Sequence, residues 1–97
     1  MKSIEELKTE LEAIKPELKK RYNVETIAVF GSYSRGDQKT NSDLDILVTF
    51  SKPIGVYKFI EVEEFLSKKL RVKVDLVQKG ALLPMIRNQV INETIDV

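Results

Sequence analysis

The chain contains neither cysteine nor histidine. The first absence excludes disulfides, thiolate catalysis and cysteine-based zinc sites. The second removes imidazole as general base and as metal ligand. Acid–base or metal chemistry must therefore rest on carboxylates, lysines, tyrosines or hydroxyls. Apolar runs are short, none near the ~20 residues that a membrane helix needs, so no membrane association is expected. The N-terminal stretch M-K-S-I-E-E-L-K mixes acids into its first turns and lacks the apolar centre of a signal peptide. The chain therefore reads as cytoplasmic and soluble. A surplus of charge of one sign is missing too: 16 basic against 15 acidic residues leave a net +1. That balance argues against long-range attraction to nucleic acid or to an anionic membrane. The short basic clusters Lys19-Lys20-Arg21 and Lys68-Lys69 read as charges at helix C-termini, where they suit the helix dipole.

What is present fits one small α/β domain over residues 1–97. With 42% hydrophobic residues, a chain of this length buries roughly 60–70% of its unfolded surface, enough for one core without staples. Ile4, Leu7, Leu11, Ile14, Leu18 and Tyr22 recur every three or four positions, one face of a helix that Ser3 can cap. Pro16 lies inside that run, and a kink or two abutting helices are expected there. Thr26–Phe30 is short, apolar and β-branched, a buried strand. Gly31 breaks it, Ser32 is expected to cap a helical turn from Tyr33 to Gly36, and residues 37–42 form a polar loop. Leu44–Phe50 is a second strand with Leu44, Ile46, Val48 and Phe50 on one face and Asp43, Asp45 and Leu47 on the other.

Residues 56–70 repeat as a helix through Phe59, Val62, Leu66 and Leu70, and 72–77 alternate as a strand. A last helix is expected over 81–94, with Leu82, Leu83, Met85, Ile86, Val90 and Ile91, irregular near Pro84. Thr94–Val97 adds a short edge strand or frays. This order gives an α/β (α+β) layer, a small mixed sheet with helices packed on it. The strand–helix–strand segment 44–77 has the length of a parallel crossover.

The chemistry-bearing residues concentrate between Phe30 and Phe50. Asp43 and Asp45, two residues apart on extended chain, lie about 6.6 Å apart on one side and can grip a hard cation. Asp75 stands alone in V-K-V-D-L-V; if its strand neighbours theirs, three carboxylates converge at one sheet edge. Such a set favours Mg²⁺ or Mn²⁺ over zinc. By itself D-x-D is weak evidence, and a lone strand-end aspartate is often a cap or an ion-pair partner. Gly31 permits positive φ and close approach to the backbone, and Ser32 adds a hydroxyl where helical N–H groups favour anions. The same Gly-Ser pair also serves as a plain strand-to-helix turn. Arg35 can bind phosphate or pair with Asp37 or another carboxylate.

Taken together, G-S-Y-S-R-G-D-Q-K-T-N-S-D-L-D-I-L-V resembles the signature of the minimal nucleotidyltransferases, within the polymerase-beta-like nucleotidyltransferase superfamily: Gly-Ser, about ten residues, then Asp-x-Asp. The length and the later V-D-L-V fit as well, so the resemblance spans nearly the whole chain. It implies that Gly31 and Ser32 bind the β/γ-phosphates of ATP or another nucleoside triphosphate, and that Asp43 and Asp45 hold the metals. Asp75 would complete the carboxylate set and help deprotonate an acceptor hydroxyl. Arg35 and Ser42 belong to the motif and would steady the loop, Arg35 with a phosphate contact in reach.

Little chain follows Asp75 to form an acceptor pocket. Minimal relatives commonly work beside a helical HEPN-domain toxin, as the antitoxin of a toxin–antitoxin pair. The resemblance therefore implies Mg²⁺-dependent transfer of AMP from ATP to a tyrosine of such a partner. Two other functions stay open: a non-enzymatic antitoxin that blocks its partner by binding, and nucleotidyl transfer to a small molecule or nucleic acid. The base, the number of nucleotides transferred and any oligomer are not specified by these residues.

Overall fold

Helix α1 runs over Ile4–Tyr22, started by Ser3, whose Oγ accepts a hydrogen bond from the Glu6 N–H at 3.2 Å. Two acids in its first turn and three bases in its last suit the dipole. Leu7, Leu11, Leu18 and Tyr22 are its buried positions, as the spacing predicts. Pro16 does not divide it into two helices: one continuous helix spans the position. Pro16 and Glu12 both sit on the exposed side, where the carbonyl that proline leaves unpaired can meet water.

The structure is a computed structural model that describes residues 2–82 and 84–97, with Met85 and Ile86 by backbone alone. After α1 come β1 (Val24–Phe30), α2 (Ser32–Arg35), β2 (Leu44–Phe50), α3 (Val56–Leu70) and β3 (Val74–Gln78). A 3-10 turn (Lys79–Ala81), α4 (Pro84–Asn92) and β4 (Ile95–Asp96) complete the chain. The expected last helix thus divides into a 3-10 turn and α4. Pro84 opens α4, the helical position that tolerates its missing N–H. Leu83 lies outside the described residues, as do the side chains of Met85 and Ile86. The strand expected from residue 72 begins at Val74, because Arg71 ends α3 in the left-handed region (φ 56°) and the turn uses Val72. β1 starts two residues earlier than Thr26. A register shift between Val24 and Thr26 lets Glu25 and Thr26 both face solvent without throwing Ile27 out of phase.

The sheet order is β3-β2-β1-β4, with β2 and β3 parallel and β1 antiparallel to β2 and to β4. The expected crossover through α3 and the edge strand near the C-terminus are both present. α1 and α3 cover one face of the sheet. Their buried residues join Ile27 and Val29, Leu44, Ile46 and Val48, and Val74 and Leu76 in one core. The Lys2 Nζ donates to the Leu70 carbonyl at 2.6 Å, tying the start of α1 to the end of α3.

The outward edge of β3 is covered by α3. The Val74 N–H donates to Ser67 Oγ at 3.0 Å and the Leu76 N–H to Glu63 Oε2 at 2.9 Å. Two ladder donors that another strand could have used are satisfied within the chain. Among the described residues no helix is long and apolar enough to cross a membrane.

Candidate active site

The alternation along β2 decides where chemistry can occur. Leu44, Ile46 and Val48 are 0–1% exposed on the core face. Asp45, Leu47 and Thr49 therefore project from the face that α1 and α3 leave open. The parallel register pairs Asp45 with Asp75 on β3, and the antiparallel register pairs it with Phe30 on β1. Two carboxylates more distant in sequence than any local motif thus stand side by side on neighbouring strands, next to the chain that leads into Gly31.

The turn at Gly31 is built against Asp45. Gly31 adopts φ 75° and ψ −150°, a conformation open to glycine and strained for other residues. A Cβ at this position would collide with Asp45 Oδ2 and lie 3.0 Å from its Cγ. The Gly31 carbonyl accepts from the N–H groups of Ser34 and Arg35 and from Ser34 Oγ at 2.8 Å. That carbonyl turns into α2 and leaves the first N–H groups of the helix facing outward. Tyr33, 3% exposed, anchors α2 to the core. The expected Ser32 cap is not formed: Gly31 occupies the N-cap position without a side-chain hydrogen bond, and Ser32 is already the first helical residue.

Asp43 precedes β2 by one residue and lies 3.8 Å from Lys73 Nζ. Asp75 is exposed, and Asp45 is partly buried. Burial, then the neighbouring charges of Asp75 and Asp43 and a hydrogen bond shared with Asp75, raise the Asp45 carboxyl from 3.8 to about 6; the Arg35 guanidinium opposes this. The structure therefore brings Asp45 and Asp75 together and places Asp43 within electrostatic reach. Among the described residues, however, no three acids already surround one cation position. The donor set suits a hard divalent cation: it offers oxygens only, and the carboxylates of Asp75 and Asp43 lie close enough to raise the proton affinity of Asp45 beyond the effect of its burial.

Ser42 holds the loop before β2: its Oγ accepts from the Lys39 N–H at 2.8 Å, and its own N–H donates to the Lys39 carbonyl. Arg35 pairs with Asp37 at 3.2 Å and, across the fold, with Glu93 at 3.4 Å. Of its two readings, carboxylate pairing is the one seen. On the same open face, a cavity of about 420 Å³ is lined by Thr26, Ala28, Leu47, Thr49, Lys79 and Ile91, among others. Sequence reasoning missed it, because its floor alternates in the usual way for a strand and its roof comes from an element that only the tertiary fold carries there.

The nucleotidyltransferase domain family matches residues 11–97. Protein adenylyltransferase MntA of Thermococcus cleftensis is 45% identical over 95 residues, covering 98% of this chain and 96% of that protein. A solved structure provisionally described as a minimal nucleotidyltransferase superposes with a TM-score of 0.83 at 33% identity, covering 99% of this chain and 97% of its own. A crystal structure of a toxin–antitoxin with AMP-PNP superposes with a TM-score of 0.72 at 29% identity, covering 88% of this chain and 70% of that one.

Proposed function

The chain belongs to the nucleotidyltransferase domain family, and on that premise we propose that it is a metal-dependent protein adenylyltransferase that silences a HEPN-type toxin by transferring AMP from ATP to a tyrosine hydroxyl. One observation carries this reading: Asp45 and Asp75 stand side by side on parallel strands, with the Gly31 turn packed directly against Asp45. A phosphate chain held by the turn would lie next to the carboxylates. The relative named MntA is a protein adenylyltransferase, and the toxin–antitoxin structure holds AMP-PNP; both support the choice of nucleotide and of a protein acceptor.

In this reading the N–H groups at the start of α2 and the Ser32 hydroxyl donate to the β- and γ-phosphates. Asp43, Asp45 and Asp75 are the residues that would hold Mg²⁺. A divalent ion held there would lower the pKa of the acceptor hydroxyl and offset the negative charge that develops during transfer. The acceptor oxygen forms its bond to the α-phosphorus as the bond from that phosphorus to the β-phosphate bridging oxygen breaks, and pyrophosphate departs. Asp75, exposed beside Asp45, takes the hydroxyl proton on a carboxylate oxygen. No covalent enzyme intermediate is needed, so catalysis is positioning and electrostatics. Ser42 steadies the loop that feeds Asp43 into place. The chain acts in the cytoplasm, where ATP and such a partner meet.

The test is incubation with α-labelled ATP, Mg²⁺ and the co-expressed toxin. Label should appear on the toxin with the wild-type protein and not with the Asp43→Asn, Asp45→Asn double variant. Full neutralisation by that variant without label transfer would overturn the enzymatic reading. It would favour the second one, a stoichiometric binder, for which a specific observation speaks. Val56 and Tyr57, 73% and 90% exposed, with Ile60 at 44%, form an apolar patch on the first turns of α3. A stable complex isolated without ATP supports that alternative.

A further inference from the structure

The Arg35 guanidinium is held by two carboxylates from distant parts of the chain. Asp37 Oδ2 accepts from its Nε at 3.2 Å and Glu93 Oε2 from its Nη1 at 3.4 Å. Asp37 is a loop neighbour, but Glu93 arrives from the turn between α4 and β4, 58 residues away in sequence. Its place follows from the sheet. β4 pairs with β1 through Ala28–Asp96 and Val29–Ile95, and continuing that antiparallel register sets Thr94 beside Phe30 and Glu93 beside Gly31. The turn is closed by the Glu93 N–H on the Val90 carbonyl and by Thr94 Oγ1 on the Ile91 carbonyl. A carboxylate is therefore fixed at the flank of the phosphate-facing turn, where an unpaired negative charge would repel a triphosphate. It is paired with the guanidinium.

We propose that Glu93 is a positioning residue for nucleotide binding: together with Asp37 it clamps two of the three guanidinium nitrogens of Arg35 and aims the remaining Nη2 at the phosphates held by the Gly31 turn. This rests on the nucleotidyltransferase reading above and adds to it a residue outside the Gly-Ser and aspartate motif. A planar guanidinium held on two nitrogens loses little further freedom when the third binds an anion. The register that sets Glu93 beside Gly31 also brings the Arg35 guanidinium, 3.4 Å from Glu93 Oε2, to the edge of that turn. Because Arg35 and Glu93 are 47% and 37% exposed, solvent screens the pair and the effect is modest.

The experiment is calorimetric titration of the full chain with Mg²⁺ and a non-hydrolysable ATP analogue, alongside steady-state transfer to the toxin. Glu93→Ala should weaken analogue binding and raise the KM for ATP about three- to fivefold with kcat unchanged. Glu93→Gln, which keeps an acceptor oxygen at the same reach, should lose less. In an Arg35→Ala background, Glu93→Ala should have no further effect, a coupling that a merely structural role would not produce. Unchanged or tighter binding by Glu93→Ala, or additive effects in the double variant, would overturn the inference. Failure of the wild-type protein to bind the analogue at all would instead count against the nucleotidyltransferase reading itself.

Discussion

The two faces of β2 place opposite demands on residues one position apart. Leu44, Ile46 and Val48 face α1 and α3 and are at most 1% exposed. Asp45 and Thr49, out of phase with them, stay partly exposed on the open face. On the core face what matters is apolar area and volume, so substitutions of similar size are tolerated and cavities are costly. On the open face what matters is which oxygen stands beside which neighbour. Partial burial and the neighbouring charges of Asp75 and Asp43 raise the Asp45 carboxyl there. A single strand thus carries the core on one side and the proposed chemistry on the other, and substitutions on the two sides should separate stability from activity.

The largest effect is expected on the open face. Asp43→Asn combined with Asp45→Asn should lower AMP transfer by at least about 10²–10³-fold, measured with labelled ATP, without lowering the thermal midpoint of the protein. A variant that unfolds instead would break the division between the faces. On the core face, Ile46→Ala should cost about 2–5 kcal/mol in denaturant unfolding, since Ile46 is 0% exposed. The remaining folded protein should keep its KM for ATP.

Gly31 sits where the two demands meet. Gly31→Ala should cost about 1–3 kcal/mol from the positive φ and the collision with Asp45 and should also weaken nucleotide binding. Wild-type affinity in that variant would remove the turn from the phosphate site. The smallest effect is that of pH. Asp45 binds its proton more tightly folded than unfolded, so stability falls as pH rises from about 4 through about 6, where its folded carboxyl titrates. After solvent screening the loss is on the order of 1–2 kcal/mol. Asp45→Asn should flatten this part of the stability profile, and Mg²⁺ should raise the thermal midpoint more at pH 8 than at pH 5. A profile unchanged in Asp45→Asn would show that the carboxyl is not strained by its neighbours.

By itself the sequence determined which segments become helix and strand, because side-chain periodicity and local turn chemistry act over a few residues. The stripes through α1 and α3, the alternation of β2 and the Gly31 break were all legible. The residue types of the candidate site were legible too, since the absence of histidine and cysteine leaves carboxylates, and Asp43, Asp45, Gly31 and Ser32 lie within one continuous motif. Where local rules competed, tertiary packing decided. α1 continues through Pro16 because its exposed side lets water satisfy the freed carbonyl, and Ser32 yields the cap position to Gly31 because the chain must pass against Asp45. Only the fold could set Asp75 beside Asp45, since that pairing is a matter of strand register across a crossover. Only the fold could bring Glu93 to Arg35, since β4 closes the sheet on the far side of β1. The crossover length announces only that the strand of Asp75 can lie parallel to β2, and the Glu93–Arg35 contact has no periodicity or spacing to announce it. Each depends on hydrogen-bond ladders between segments that meet only when the sheet has formed.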